Sequence, residues 1–205
     1  KKKLYWQLPF LIFLIVGTVF IVRQQRSTPY QHDEGQIFGT FYHITYQNDS
    51  SLNNDILAEL DKVDNALSMF NDKSIISRVN RGENVETNDM FNAVFNLAEQ
   101  IADNTNGSFD ITVAPLVNTW GFGFKTGNPP SKMTIDSLRS IVGYKKVSLH
   151  NNRITKTDPR VMLDCSAIAK GYGCDVVARL LQQHGIENYM VEIGGEVVTH
   201  GISEK

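Results

Sequence analysis

The chain has 205 residues, 41% of them hydrophobic, an ordinary composition for a globular protein with a sizeable core. Twenty Lys and Arg stand against 22 Asp and Glu, a formal net charge of -2, too little positive charge for a nucleic-acid binder. Only Cys165 and Cys174 are present, without a CxxC pair, and the five histidines are scattered without an HExxH, so a classical zinc site is not expected.

In chain order, Lys1, Lys2 and Lys3 precede an apolar run over residues 4–22, interrupted by Gln7, Pro9, Gly17 and Thr18 and followed by Arg23 and Arg26. The run is close to the ~20 residues that span a bilayer. It lacks the short core and small-residue cut site of a signal peptide, so residues 1–26 read as a signal-anchor transmembrane helix. The lysine excess puts the N-terminus in the cytoplasm and the rest outside it. No cysteine follows the run, which excludes a lipid-anchored cysteine. Residues 27–35, with Pro29 and Gly35, read as a linker, and residues 36–205 as a single domain.

Residues 37–46 alternate as a strand with Gly39 and Thr40 embedded, a hint of a bulge or of close backbone approach. Ile56, Leu60, Val63 and Leu67 mark a helix, and a second runs from about Asn88 to Asp103 through Phe91, Val94, Phe95 and Ala98. Thr134 is the expected cap of a short third helix, and residues 146–156 form a hairpin turning at Asn151 and Asn152. Residues 196–199 read as a last strand. A strand without neighbours exposes unpaired backbone groups, so the domain is expected to continue beyond Lys205.

Two segments carry chemistry. In residues 161–173 a short apolar strand, Val161 to Leu163, runs into a helix with Ile168, Tyr172, Val176 and Leu180 on one stripe, ending at His184 and Gly185. A further strand over residues 188–193 gives a βαβ pattern, in which ligands sit beyond the strand ends near the helix N-terminus. Asp164 is either a helix N-cap or a ligand contact, and Lys170 by itself is a solvated helix residue. Gly171 and Gly173 each cost about 1 kcal/mol inside a helix, so something packs closely there. They are not a dinucleotide fingerprint, because the third glycine is missing and the pair lies within the helix. The second segment, residues 107–115 leading to Trp120, Gly121, Phe122, Gly123 and Phe124, suits either a planar heterocyclic ligand or an aromatic plug on the core. Cys165 and Cys174 are placed too far apart on one helix for a disulfide and read as small buried residues.

Taken together, Phe38-Gly39-Thr40, Leu67-Ser68-Met69-Phe70 with Ser74 and Asn80, residues 107–117, Trp120-Gly121-Phe122-Gly123, Leu163-Asp164 through Lys170-Gly171-Tyr172, and Ile193-Gly194-Gly195-Glu196 resemble the ApbE family, the bacterial FAD:protein FMN transferases. The resemblance covers about residues 36–201 in family order. It implies a mixed α/β (α+β) domain, C-terminally truncated here, that uses FAD and Mg²⁺. The implied reaction moves the FMN half of FAD to a Thr or Ser hydroxyl of a target protein, forming a phosphoester and releasing AMP. Targets would be flavin-carrying subunits of membrane redox complexes, with the enzyme on the bacterial inner membrane and its domain in the periplasm.

Residue by residue, the resemblance makes Asp164 and Lys170 contacts to FAD and gives Ala167 a metal-binding backbone carbonyl. Phe38, where the family often has methionine, and Phe70 would pack on the flavin or adenine. Ser108, Phe109 and Asp110 would form another FAD-contacting segment. The family's later aspartate and threonine metal ligands would lie beyond Lys205, as would its catalytic residues, so the 205-residue form is expected to have little activity. Two readings compete: hydrolysis of FAD to FMN and AMP, and a membrane-tethered flavin-binding module without catalysis.

Overall fold

The structure is a computed structural model, and it describes residues 2–25, 28–122 and 129–204, with side chains in the first helix described for residues 9–21. Among the described residues the elements in chain order are α1 (Lys2–Gln25), β1 (Tyr30–Ile37), β2 (Thr40–Gln47), α2 (Asn53–Leu67), α3 (Ile75–Asn80), α4 (Asp89–Asn104), α5 (Ala114–Thr119), α6 (Lys132–Arg139), a 3₁₀ turn (Tyr144–Lys146), β3 (Val147–His150), β4 (Arg153–Lys156), α7 (Ser166–Gln183), β5 (Tyr189–Ile193) and β6 (Glu196–His200). Helices packed on an antiparallel sheet make this an α+β fold.

The sheet runs in the order β1-β2-β5-β6, antiparallel throughout. Its inner face presents Tyr42, Ile44, Tyr46, Val191 and Ile193 to Ile56 and Leu60 of α2 and to Val177 and Leu181 of α7, all buried. A second core joins Leu67, Ile76, Phe91, Val94, Phe95, Ile111, Leu163 and Val176. α7 has side chains in both cores, so its N-terminus is fixed where they meet.

Several sequence expectations change. The strand expected over residues 37–46 is a hairpin, because Phe38 (φ 55°) and Gly39 (φ 74°) both adopt left-handed backbone and turn the chain. The stretch read as a linker therefore supplies β1 from Tyr30 onward. α6 is capped by Ser131, whose hydroxyl accepts the Thr134 N–H, so Thr134 lies inside the helix and is not its cap. The hairpin at Asn151 (φ 47°) and Asn152 (φ 56°) forms as expected.

The βαβ unit does not form. Residues 161–163 make only an isolated parallel bridge, Val113 with Met162, and β5 pairs antiparallel with its neighbours. In place of a strand partner, the Asn80 side chain accepts the Leu163 N–H (2.7 Å) and donates to the Leu163 carbonyl (2.8 Å). One amide thus satisfies both backbone groups of a buried residue.

The apolar run at the start does form a helix, α1. Its described side chains, residues 9–21, cover about 20 Å of helix against the ~30 Å of a bilayer core. Among the described residues no helix is long and apolar enough to cross a membrane. The side chains of Lys1, Lys2, Lys3, Arg23 and Arg26, which set the expected orientation, lie outside the described residues, so the transmembrane reading rests on the sequence.

Candidate functional site

Two adjoining cavities open around the N-terminus of α7. The larger, about 800 Å³, is lined by Ser108, Phe109, Asp110, Asp164 and Ala167, with Arg139 and Val142 among the other residues. The smaller, about 430 Å³, is lined by Phe38, Gly39, Thr40, Ala169 and Lys170. Met69, Phe70, Phe122 and Ser166 line both, so the two form one cleft with an aromatic waist. All eight residues singled out in the sequence reach this cleft, from segments as distant as the β1–β2 turn and α7.

Asp164 is 8% exposed and closes an Asx turn, its Oδ1 accepting the Ser166 N–H at 2.8 Å. Its own N–H donates to the Ile111 carbonyl at 2.6 Å, which fixes it to the Asp110 segment. The N-cap residue of α7 is Cys165, which makes no side-chain cap, so Asp164 supports the first turn from one position earlier. Burial pushes the Cys165 thiol up to about 12 and the Cys174 thiol up to about 11, so neither is a thiolate nucleophile.

Lys170 lies one turn further along α7. Its Nζ donates to the Gly194 carbonyl at 3.0 Å and stands 3.8 Å from Glu196 Oε1. Gly194 (φ 56°) has to be glycine, since a Cβ there would come within 2.7 Å of Thr40 and 3.1 Å of the Lys170 side chain. Beside this turn, Glu192 accepts the Gly195 N–H and pairs with His43 at 2.8 Å, contacts that hold its carboxyl below the usual range.

Two of these positions also have roles within the chain. Asp110 lines the larger cavity, but Oδ1 takes both the Thr112 N–H and hydroxyl and Oδ2 takes the Tyr144 N–H, so it organises the loop that presents Ser108 and Phe109. The close packing expected at Gly173 is with the chain's own Phe38: a Cβ at Gly173 would lie 2.9 Å from Cε2 of that ring, while Gly171 meets nothing within 4 Å. Phe38 carries a left-handed backbone that is rare for a bulky residue and is held there by this contact.

The aromatic segment is not a core plug. Trp120 is 49% exposed and Phe122 82% exposed, and Phe122 lines both cavities. Gly123 and Phe124 lie outside the described residues. The sequence reading named Asn80 only within the family resemblance, gave Phe122 a ligand role as one of two alternatives for its segment, and gave no site role to Ser166 or Arg139. Alternating aromatic and glycine residues did signal Phe122, whereas nothing in its local pattern distinguishes Arg139 from a solvated helix residue.

For Mg²⁺, the residues present offer hard oxygens: the Asp164 carboxylate, the Ser166 hydroxyl and the Ala167 carbonyl at the rim of the larger cavity. Among the described residues no group of three His, Cys, Asp or Glu side chains could hold a metal ion. Ala167 lies in the first turn of α7, where its carbonyl is directed along the helix toward the amide four residues on. This donor set fits an ion shared with substrate phosphates, as Mg²⁺ often is, and not a cage built by the protein alone.

Known proteins resemble this chain in both sequence and fold. The sequence profile of the ApbE family matches residues 38–205. The FAD:protein FMN transferase of Vibrio cholerae is 36% identical over 183 residues, covering 84% of this chain and 55% of the relative. That of Haemophilus influenzae is 37% identical over 207 residues, covering 93% and 60%. The solved structure of the flavin transferase ApbE from Vibrio cholerae superposes with a TM-score of 0.81 at 34% identity, over 85% of this chain and 60% of the other. The apo flavinyl transferase ApbE of Pseudomonas stutzeri gives 0.78 at 29%, over 86% and 62%. The chain thus spans somewhat over half the length of these curated relatives.

Proposed function

The chain belongs to the ApbE family, and from that premise we propose that it transfers the FMN half of FAD to a Thr or Ser hydroxyl of a target protein. The observation that carries this reading is the convergence of Phe38, Phe70, Ser108, Phe109, Asp110, Asp164, Ala167 and Lys170 on one two-chambered cleft. Flat rings at its waist suit the flavin and adenine of a dinucleotide. In the reaction the acceptor oxygen bonds to the FMN phosphorus as the pyrophosphate bridge breaks. AMP departs with the bond's electron pair, and the hydroxyl proton passes to a base or to water.

Lys170, fixed by Gly194 and Glu196, brings positive charge to phosphoryl oxygens as charge builds on them. Phe38 and Phe70 pack against a ring system, Asp110 holds the Ser108–Phe109 turn in place, and Asp164 fixes the first turn of α7. Mg²⁺ at the Asp164 and Ala167 oxygens would supply further charge neutralisation when bound with the phosphates. The proposal extends to the setting suggested by residues 1–26: an anchored domain outside the cytoplasm, acting on flavin-carrying subunits of membrane redox complexes.

The test is to incubate the full-length protein with FAD, Mg²⁺ and an acceptor domain and to measure acid-stable flavin on the acceptor. Lys170→Ala should lower that yield about 100-fold, the scale of losing one preorganised charge on a transition state. Release of free FMN without labelling would favour hydrolysis, and FAD binding without either product would favour a binding module. Full transfer by the alanine variant would refute the role given to Lys170.

A further inference from the structure

We infer that Arg139 is the phosphate-binding arm of the larger chamber, a role that rests on the flavin-nucleotide reading above. Among the described residues lining that cavity it is the only cation, entering from the last turn of α6. No described residue gives it a hydrogen bond, an ion pair or a ring contact, unlike Arg78, Arg81, Arg153, Arg160 and Arg179. It does not hold the fold together either, since α6 has no buried residue.

The cavity's electrostatics call for such a group. Asp110 and Asp164 both line it, so a ligand carrying phosphates enters a chamber that already holds carboxylates. Asp110 is met by three donors from the chain, whereas Asp164 has one, the Ser166 N–H. Lys170 lines only the smaller chamber. A pyrophosphate near Asp164 is repelled unless positive charge shares its chamber, because charges a few ångströms apart interact strongly where water is partly excluded, and beside the Mg²⁺ of the reading above that charge has to come from the chain. Arg139 meets that need with a planar fork that grips two phosphate oxygens at once. The rest of the lining is mostly apolar, Met69, Phe109, Leu116 and Val142 among it, and Ser108 and Ser166 add hydroxyls that carry no charge.

The experiment is titration of the full-length protein, wild type, Arg139→Ala and Arg139→Lys, with FAD and with riboflavin, which shares the ring but has no phosphate. Arg139→Ala should weaken FAD about 10- to 100-fold and leave riboflavin unchanged, with Arg139→Lys in between. FAD binding at the wild-type level in the alanine variant would overturn the inference, as would equal weakening of FAD and riboflavin. A wild-type protein that binds no FAD would instead fail the flavin reading. In that case titration with inorganic pyrophosphate decides: weakening by Arg139→Ala supports the arm, and no weakening overturns it.

Discussion

Along one wall of the cleft, Leu163 and Asp164 are held by three hydrogen bonds to Asn80 and Ile111, and Cys165 beside them is fully buried. Along the other, α6 buries no residue, Phe122 is more than four-fifths exposed, and Arg139 has no partner among the described residues. The first wall is an extension of the core. The second is a surface left largely in solvent. The difference divides the consequences of mutation: changes to the first wall should alter stability and binding together, and changes to the second should alter binding alone.

The largest effect belongs to the fastened wall. Asn80→Ala removes both hydrogen bonds to Leu163 and leaves a buried N–H and carbonyl unsatisfied. Each lost bond of this type costs about 1–2 kcal/mol, so the domain should lose about 3 kcal/mol, measured by denaturant unfolding. FAD affinity should fall with it, because residues 163–164 position the start of α7. A variant with unchanged stability would show that the segment is held by its apolar neighbours and that the amide is incidental.

How much of this was legible follows from the range of the interactions. α2, α4 and α7 were readable because apolar residues three and four apart identify a helix without reference to the rest of the chain. The β1–β2 hairpin was hidden because Phe38 is an unusual residue for left-handed backbone, and what holds it is the gap at Gly173, 135 positions later. The false strand at residues 161–163 has the same origin: apolar and buried, it reads as a strand until Asn80 is seen in place of a neighbouring strand. At the site, Asp164 and Lys170 share one helix start and were legible together. Arg139 was not, since an arginine on a short amphipathic helix looks the same whether it faces bulk water or a cavity.

The unfastened wall gives the converse prediction. Phe122→Ala removes a ring that lines both chambers but contributes little to the core. Stability should change by no more than about 0.5 kcal/mol. FAD binding should weaken about tenfold, the order of one lost aromatic contact with its buried area. A thermal melt and a flavin titration on the same sample read the two quantities. If the melt falls as far as it does for Asn80→Ala, the two walls do not differ in kind.

The smallest effect tests whether the fastened wall is free of internal strain. Glu99 of α4 stands near Asp103 and Asp110, and its Oε1 is buried with no hydrogen-bond partner. Burial first, then the two aspartates, push its carboxyl from the ordinary 4.5 up to about 7. The folded state therefore holds a proton that the unfolded state releases at lower pH. The stability tied to that proton is present below about 4.5 and is lost as pH rises toward about 7, above which the fold carries a charged, poorly solvated carboxylate. Undiscounted, such a shift corresponds to about 3 kcal/mol; solvent screening of a partly exposed group reduces this to about 1 kcal/mol. Glu99→Gln should thus stabilise the domain by about 1 kcal/mol at about pH 8 and have little effect at about pH 4. Denaturation of both proteins at the two pH values measures it, and a gain independent of pH would show that shape, not charge, is what Glu99 contributes behind the Asp110 loop.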